Sequence, residues 1–127
     1  MSHPFNPNRG LIVAAVPIEG PSGSVTARLA LDTGATRTVI DDRILQSVSC
    51  DPAAFGTPVR IVTGSGTTVA APREVTRFSA LDFERTGFRV LAHRLPPSAG
   101  VDGVLGLDFL RGTLLQVDFR SGVISLT

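Results

Sequence analysis

One acidic residue in this sequence stands where an acid is costly to place. Asp32 comes directly after the mostly apolar run of residues 25–31 and enters a turn formed by Thr33 and Gly34. An acid at the end of an apolar strand loses solvation, so its position needs compensating partners or a chemical reason. A carboxylate held in a fixed turn can draw a proton from water, as general base catalysis of hydrolysis requires. Asp32 is therefore the candidate catalytic residue.

The elements that must position Asp32 are predicted from alternation and turn residues. Residues 11–18 and 25–31 predict two strands joined by a turn rich in Gly, Pro and Ser, so that Asp32 ends the second arm of a hairpin. After the catalytic turn, a short strand leads to Asp41, the predicted N-cap of a brief helix. Asp41 and its neighbour Asp42 are predicted to be structural rather than catalytic. At the far end of the sequence, residues 114–126 predict a closing hairpin.

A second motif lies late in the chain, where Val104 and Leu105 precede Gly106. Together with Asp32-Thr33-Gly34-Ala35 between apolar flanks, it resembles the active-site segments of the retropepsin-like aspartic proteases, the single-domain type found in retroviruses, and in particular their cellular and bacterial branch. The resemblance covers roughly residues 10–126. It implies an all-β fold, a closed acid-protease barrel with a flap hairpin and one or two short helices.

The resemblance also implies an activity, namely aspartic endopeptidase cleavage of extended polypeptide segments with apolar flanks and without a cofactor. The catalytic residues that it implies are Asp32, Thr33 and Gly34. Hydrolysis by carboxylates alone needs two of them, and this chain has one such motif and no internal repeat. A homodimer with one Asp32 per subunit would supply both. Two other functions stay open on the sequence, a peptide-binding module that does not cut and a dimerisation module in which the motif is only a turn.

A Gly-rich hairpin lies between the two motifs. Its strand-like arms are residues 59–63 and 67–70, and in the family the hairpin at this position is the flap over the substrate. An ordinary β-turn would have the same composition, and the location between the motifs favours the flap. The predicted substrate-binding residues are Ala35, Gly64, Ser65, Gly66, Val104 and Ile40.

Two positions differ from the retroviral pattern, and a third could be mistaken for a catalytic residue. Retroviral enzymes pair an acid two residues after the active-site Gly with a base after the second Gly, whereas Thr36 and Leu107 stand here. The dimer must therefore be held otherwise. Asp108 could be taken for a second catalytic acid, but Phe109 and Leu110 cannot reproduce a Thr-Gly turn. Asp108 is instead predicted to cap a short helix.

Length, charge and composition set the remaining limits. With 127 residues the chain is predicted to form one protease domain, residues 10–127, after a flexible arm, residues 1–9. The net charge is +1 and the arginines are scattered, which argues against nucleic-acid and membrane partners.

A single cysteine, Cys50, excludes an internal disulfide, and with no apparent signal segment it favours a cytoplasmic protein. His3 and His93 lack metal-ligand spacing, so no metal site is predicted.

Overall fold

Strands dominate the computed structural model, which describes residues 2–50, 57–63 and 66–127. The strands are β1 Ser2–Pro4, β2 Val13–Gly20, β3 Gly23–Leu31, β4 Val39–Asp41, β5 Val59–Thr63, β6 Gly66–Ala80, β7 Phe83–His93, β8 Gly103–Leu105, β9 Leu115–Asp118 and β10 Val123–Leu126. The helices are α1 Asp42–Ser47 and α2 Leu107–Leu110, with a 3₁₀ turn at Pro97–Ala99. In these described ranges no helix reaches the length and apolarity that crossing a bilayer demands.

Six strands close into a barrel. Their order is β2-β3-β8-β4-β7-β6, and a further antiparallel pairing of β2 with β6 completes the circle, while β5 extends the sheet beyond β6. The barrel encloses a core in which Ile18, Leu29, Phe78, Leu105 and Phe109 are fully buried. The expected all-β barrel with two short helices is confirmed.

The predicted first hairpin is confirmed by β2 and β3. Gly23 adopts φ +151°, a conformation that side chains disfavour, and it closes the turn against Gly20. In β3 the small and apolar residues Ala27 and Leu29 point inward, as the alternation predicts. Pro17 lies outside the short stretch of β2 that pairs with β6, so its missing N–H leaves no sheet hydrogen bond unmade on that side.

A second sheet of three strands, in the order β1-β10-β9, joins the two ends of the described chain. The closing hairpin predicted across Arg120 and Ser121 is confirmed by β9 and β10. Within residues 1–9 the structure differs from the predicted flexible arm, because β1 pairs antiparallel with β10 and sets Ser2 opposite Ser125. An open strand edge carries unpaired N–H and C=O groups, and a short segment that satisfies them becomes ordered despite its loop-like composition. The division into arm and protease domain stays a prediction.

The two acids at the start of α1 have structural roles, as predicted. Asp41 caps the helix by accepting from the backbone N–H of Arg43 at 2.9 Å, and its carboxylate also pairs with the Arg43 guanidinium at 2.8 Å. The hydrogen bond from that side chain is the main reason why the pKa of Asp41 falls from 3.8 to about 2. Asp42 pairs with the buried guanidinium of Arg73 at 2.9 Å.

Replacing Asp41 with Asn is expected to lower the free energy of unfolding by about 1–2 kcal/mol at pH 7, a figure reduced because Arg43 is exposed. Asn still caps a helix, so the change isolates the charge. Because the pKa of Asp41 is lower in the folded state, the extra free energy of unfolding of the wild type over the variant is fully present above about pH 4. It disappears as the pH falls toward 2. Urea unfolding at pH 7 and pH 2 measures this difference in free energy of unfolding. Asp82→Asn, which removes an acid from an exposed ion pair, is the control. An equal difference at both pH values would contradict this assignment.

Candidate active site

Asp32 stands at the end of β3, where the neighbouring strand β8 fixes its backbone. The N–H of Asp32 donates to the carbonyl of Leu105 at 3.0 Å, and Leu31 lies in parallel register with Leu105. The N–H of Leu31 donates to the carbonyl of Ile12 at 2.8 Å. The half-buried Asp32 is thus anchored by hydrogen bonds to two different segments, and its side chain leaves the sheet in a defined direction.

The turn after Asp32 holds one of its two carboxylate oxygens. The N–H of Gly34 donates to Oδ1 of Asp32 at 2.9 Å, and the N–H of Ala35 donates to the carbonyl of Asp32 at 3.1 Å. A Cβ placed on Gly34 would lie 3.2 Å from Oδ1, so glycine gives this turn its tightness. Oδ2 has no protein partner among the described residues. That oxygen is free to meet water or a second carboxylate.

The second motif packs directly on the turn that follows Asp32. The N–H of Leu107 donates to the carbonyl of Ala35 at 2.8 Å. A Cβ on Gly106 would lie 2.7 Å from the carbonyl oxygen of Arg37 and 2.9 Å from that of Ala35. No residue with a side chain fits there without moving backbone, which explains why glycine follows the two apolar residues.

Asp108 supports the same loop, and the sequence did not predict how. The N-cap of α2 is Gly106, so the prediction that Asp108 caps this helix is wrong. Its carboxylate turns toward the fully buried Thr38 and accepts from the Thr38 N–H at 2.9 Å and from its Oγ1 at 2.7 Å. Thr38 Oγ1 in turn accepts from the N–H of Gly106 at 3.1 Å. A buried hydroxyl needs partners, and the position of Thr38 before an apolar strand was the available signal.

Replacing Asp108 with Ala is expected to lower the free energy of unfolding by about 2–3 kcal/mol, because it leaves the buried N–H and hydroxyl of Thr38 without their charged acceptor. Urea unfolding at neutral pH measures the change. Glu84→Ala is the matched control, since this exposed acid has a 3.5 Å ion pair with Arg77 and a 3.5 Å hydrogen bond from the Ser79 hydroxyl, both at the surface, and its loss should cost less than about 0.5 kcal/mol. Equal costs for the two variants would contradict the role of Asp108.

A cleft of about 600 Å³ opens beside Asp32. Ala35 and Val104 line it, as predicted for substrate-binding residues. Ile40 does not, because it is fully buried in the core, and the neighbouring Val39 lines the cleft instead. Successive residues of a strand face opposite sides, so an error of one residue exchanges the core-facing and cleft-facing positions of β4. The lining residues are Asp32, Gly34, Ala35, Thr36, Arg37, Val39, Val59, Arg60, Ile61, Val62, Thr63, Leu91, His93, Leu95, Gly103 and Val104.

The expected hairpin is formed by β5 and β6, with Thr63 opposite Gly66 in the register. Strand β5 borders the cleft along its whole length, whereas Gly66 is not among the lining residues. Gly64 and Ser65, the other predicted substrate-binding residues of the tip, lie outside the described residues. The hairpin is therefore in the position of a flap, and the role of its tip stays a prediction.

The remaining predicted positions add little to the site within one subunit. Thr33 is exposed and makes no side-chain hydrogen bond among the described residues. Thr36 and Leu107 carry no charge, so the two cannot form the ion pair of the retroviral pattern. Across the described ranges, no three His, Cys, Asp or Glu side chains gather as metal ligands would, and His3 instead bonds Asp82 at 2.9 Å. The absence of a metal site stays a prediction.

Known proteins resemble this chain in family and in fold. The family model described as aspartyl protease matches residues 15–109. A retropepsin-like aspartic protease from Rickettsia conorii has a TM-score of 0.72 at 16% identity, over 99% of this chain and 89% of that one. EIAV protease, complexed with the inhibitor HBY-793, has a TM-score of 0.57 at 16% identity, over 82% of this chain and 86% of that one. No curated protein sequence matches. The fold that the resemblance implied is confirmed.

Proposed function

This chain belongs to the aspartyl protease family and has the retropepsin-like fold, and from that premise we propose that it is an aspartic endopeptidase active as a homodimer. The observation that carries the proposal is the state of the Asp32 carboxylate. One oxygen is held by the N–H of Gly34, and the other is unpartnered among the described residues at the edge of a large cleft. A carboxylate held by one oxygen, with the other left without a protein partner beside a cleft, can take a proton from a water molecule bound there.

The chemistry needs two carboxyl groups, and Asp32 of a second copy is the one that symmetry supplies. Two carboxyls about 3 Å apart share one proton, because both cannot be ionised at that distance. The ionised member takes a proton from water, whose oxygen attacks the peptide carbonyl carbon, while the protonated member gives its proton to the carbonyl oxygen. Collapse of the resulting gem-diol then breaks the C–N bond. The carboxyl that took the proton from water gives it to the leaving nitrogen, and a gem-diol hydroxyl returns a proton to the other carboxylate as it becomes the new carbonyl oxygen, which restores the single shared proton.

The neighbours of Asp32 have roles in the same proposal. Gly34 and Ala35 present little side-chain bulk to the cleft, so a substrate backbone can approach the carboxylates closely. To Thr33, which is exposed in one subunit, we assign a hydrogen bond across the two-fold axis that holds the paired loops. The side chains of Val39, Ile61 and Val104 offer apolar contacts to residues flanking the scissile bond.

The substrate is proposed to be an extended polypeptide segment. Strand β5 is the terminal strand of its sheet and borders the cleft, so its open edge can pair with substrate backbone as an added strand. Such pairing takes unfolded peptides or exposed loops in preference to folded domains. We place this activity in the cytoplasm, in keeping with a lone cysteine, Cys50, whose burial raises its thiol pKa and keeps it unreactive.

Cleavage of a diverse pool of unstructured peptides tests the proposal. Mass spectrometry identifies the cut sites from pH 4 to 7 at several protein concentrations. Cuts between apolar residues, at a rate that falls faster than linearly on dilution, would support a dimeric endopeptidase. Tight peptide binding without any cut at any concentration would overturn the endopeptidase and favour a peptide-binding module of the same fold. A rate strictly proportional to concentration, down to dilutions at which the protein is monomeric, would overturn the homodimer.

A further inference from the structure

The cleft beside Asp32 carries more positive than negative charge. Arg37 and Arg60 line it, and Asp32 is the single carboxylate among its described lining residues. Most other lining side chains are apolar. Apolar walls lower the local dielectric constant, which strengthens the attraction between fixed arginines and an acidic ligand.

The guanidinium of Arg37 is only loosely engaged by its own protein. Its Nε lies 3.6 Å from Oδ2 of Asp108, beyond hydrogen-bonding distance, and 38% of the side chain is exposed. The Asp108 oxygens already accept hydrogen bonds from Thr38 and from the N–H of Phe109. The outer nitrogens of Arg37 have no partner within the described ranges. A guanidinium in this state offers a planar pair of donors, the geometry that a carboxylate accepts.

Arg60 lines the same cleft on the flap strand. It lies in β5, opposite Val69 in the hairpin register, and it is exposed without an ion pair among the described residues. An exposed arginine is common by itself, and several stand elsewhere on this surface. Its location distinguishes Arg60, because Arg37 and Arg60 approach one cleft from two different elements, the catalytic loop region and the hairpin. A peptide lying between these elements would pass both.

We propose that Arg37 and Arg60 make this cleft selective for peptides with an acidic side chain near the scissile bond. The inference rests on the proposed function and specifies its substrate class, apolar residues at the cut with Asp or Glu nearby. We expect the acid within about four residues of the cut, a span of about 13 Å in an extended chain. In a two-fold dimer each subunit contributes both arginines, so the preference should appear on both sides of the scissile bond.

Two peptide pools test the proposal, identical except that one carries Glu wherever the other carries Gln around an apolar central pair. For the wild-type protein we expect kcat/KM to be about tenfold higher, and binding about tenfold tighter, with the Glu pool. Arg37→Gln and Arg60→Gln should each reduce the Glu-to-Gln ratio about threefold, and the double variant should bring it near one. Arg77→Gln removes an equal charge from an exposed site remote from the cleft lining and should leave the ratio unchanged.

The outcomes separate this inference from the proposed function. Cleavage of both pools at equal rates would overturn the acidic preference and leave the endopeptidase standing. Tighter binding of the Glu pool without cleavage, lost in the double variant, would support the preference and overturn the endopeptidase. Loss of the ratio in Arg77→Gln as well would overturn the assignment to Arg37 and Arg60, since only net charge would then matter. Equal binding of both pools with no cleavage would overturn both proposals.

Discussion

Replacing Asp32 with Asn is expected to lower peptide cleavage by about three orders of magnitude or more while the protein stays folded. The loss follows because the amide can neither take the proton of the attacking water nor share a proton with a second carboxylate. Folding should be preserved because the amide oxygen of Asn can still accept from the N–H of Gly34, as Oδ1 of Asp32 does at 2.9 Å. Cleavage of the peptide pool and thermal unfolding of the same preparation measure the two expectations.

Mixing the variant with the wild-type protein makes the same substitution a test of the dimer. After equal amounts have exchanged subunits, about a quarter of the dimers are wild type on both sides, and only these retain two carboxylates. The mixture should therefore have about a quarter of the activity of the same total amount of wild-type protein. Activity of about one half would mean that each subunit works alone, and activity of the variant equal to wild type would remove Asp32 from the mechanism.

Gly103→Ala is expected to destabilise the fold by about 3 kcal/mol or more, at or beyond the upper end for overpacked sites. A Cβ at this position would lie 2.1 Å from the carbonyl oxygen of Val39 and 3.0 Å from the Cα of Ile40. Neither side can yield easily, because β8 is hydrogen-bonded to β3 on one edge and to β4 on the other. For a domain of this size the melting temperature should fall by roughly 10–15 °C.

Gly10→Ala is the matched control for that substitution, since a Cβ at Gly10 would meet nothing within 4 Å and its φ lies outside the glycine-favouring region. Its melting temperature should stay within about 2 °C of wild type. Differential scanning calorimetry compares the two variants. If Gly103→Ala had the same melting temperature as Gly10→Ala, β8 would not be packed as closely between β3 and β4 as described.

The sequence predicted the parts of the site that local patterns determine. The strand before Asp32, the Thr33-Gly34 turn and the late Gly106 motif each carry a recognisable pattern, and the structure brings them together. Which residues of β4 face the core was not predictable. The strand has three residues, too few for alternation to show whether Val39 or Ile40 points inward.

Two further features depend on contacts between distant segments. Asp108 comes two residues after Gly106 and precedes an apolar run, a local setting that favours capping, yet its partner Thr38 lies 70 residues away in sequence. The proline and asparagine residues near the N-terminus predict a loop, and only the open edge of β10 makes a strand of Ser2–Pro4. Local propensity contains no information about either partner.

The link between Asp32 and Leu105 also sets the order of events during protein synthesis. The ribosome releases the catalytic turn long before β8, and until Leu105 emerges the Asp32 backbone has no partner for its N–H. Gly106 and Thr38, which brace the turn from behind, are 68 residues apart. Contacts of such separation form late and slowly in folding. A growing chain therefore carries Asp32 in an unassembled turn, and under the proposed function it would not cut neighbouring nascent polypeptides until translation had passed the second motif.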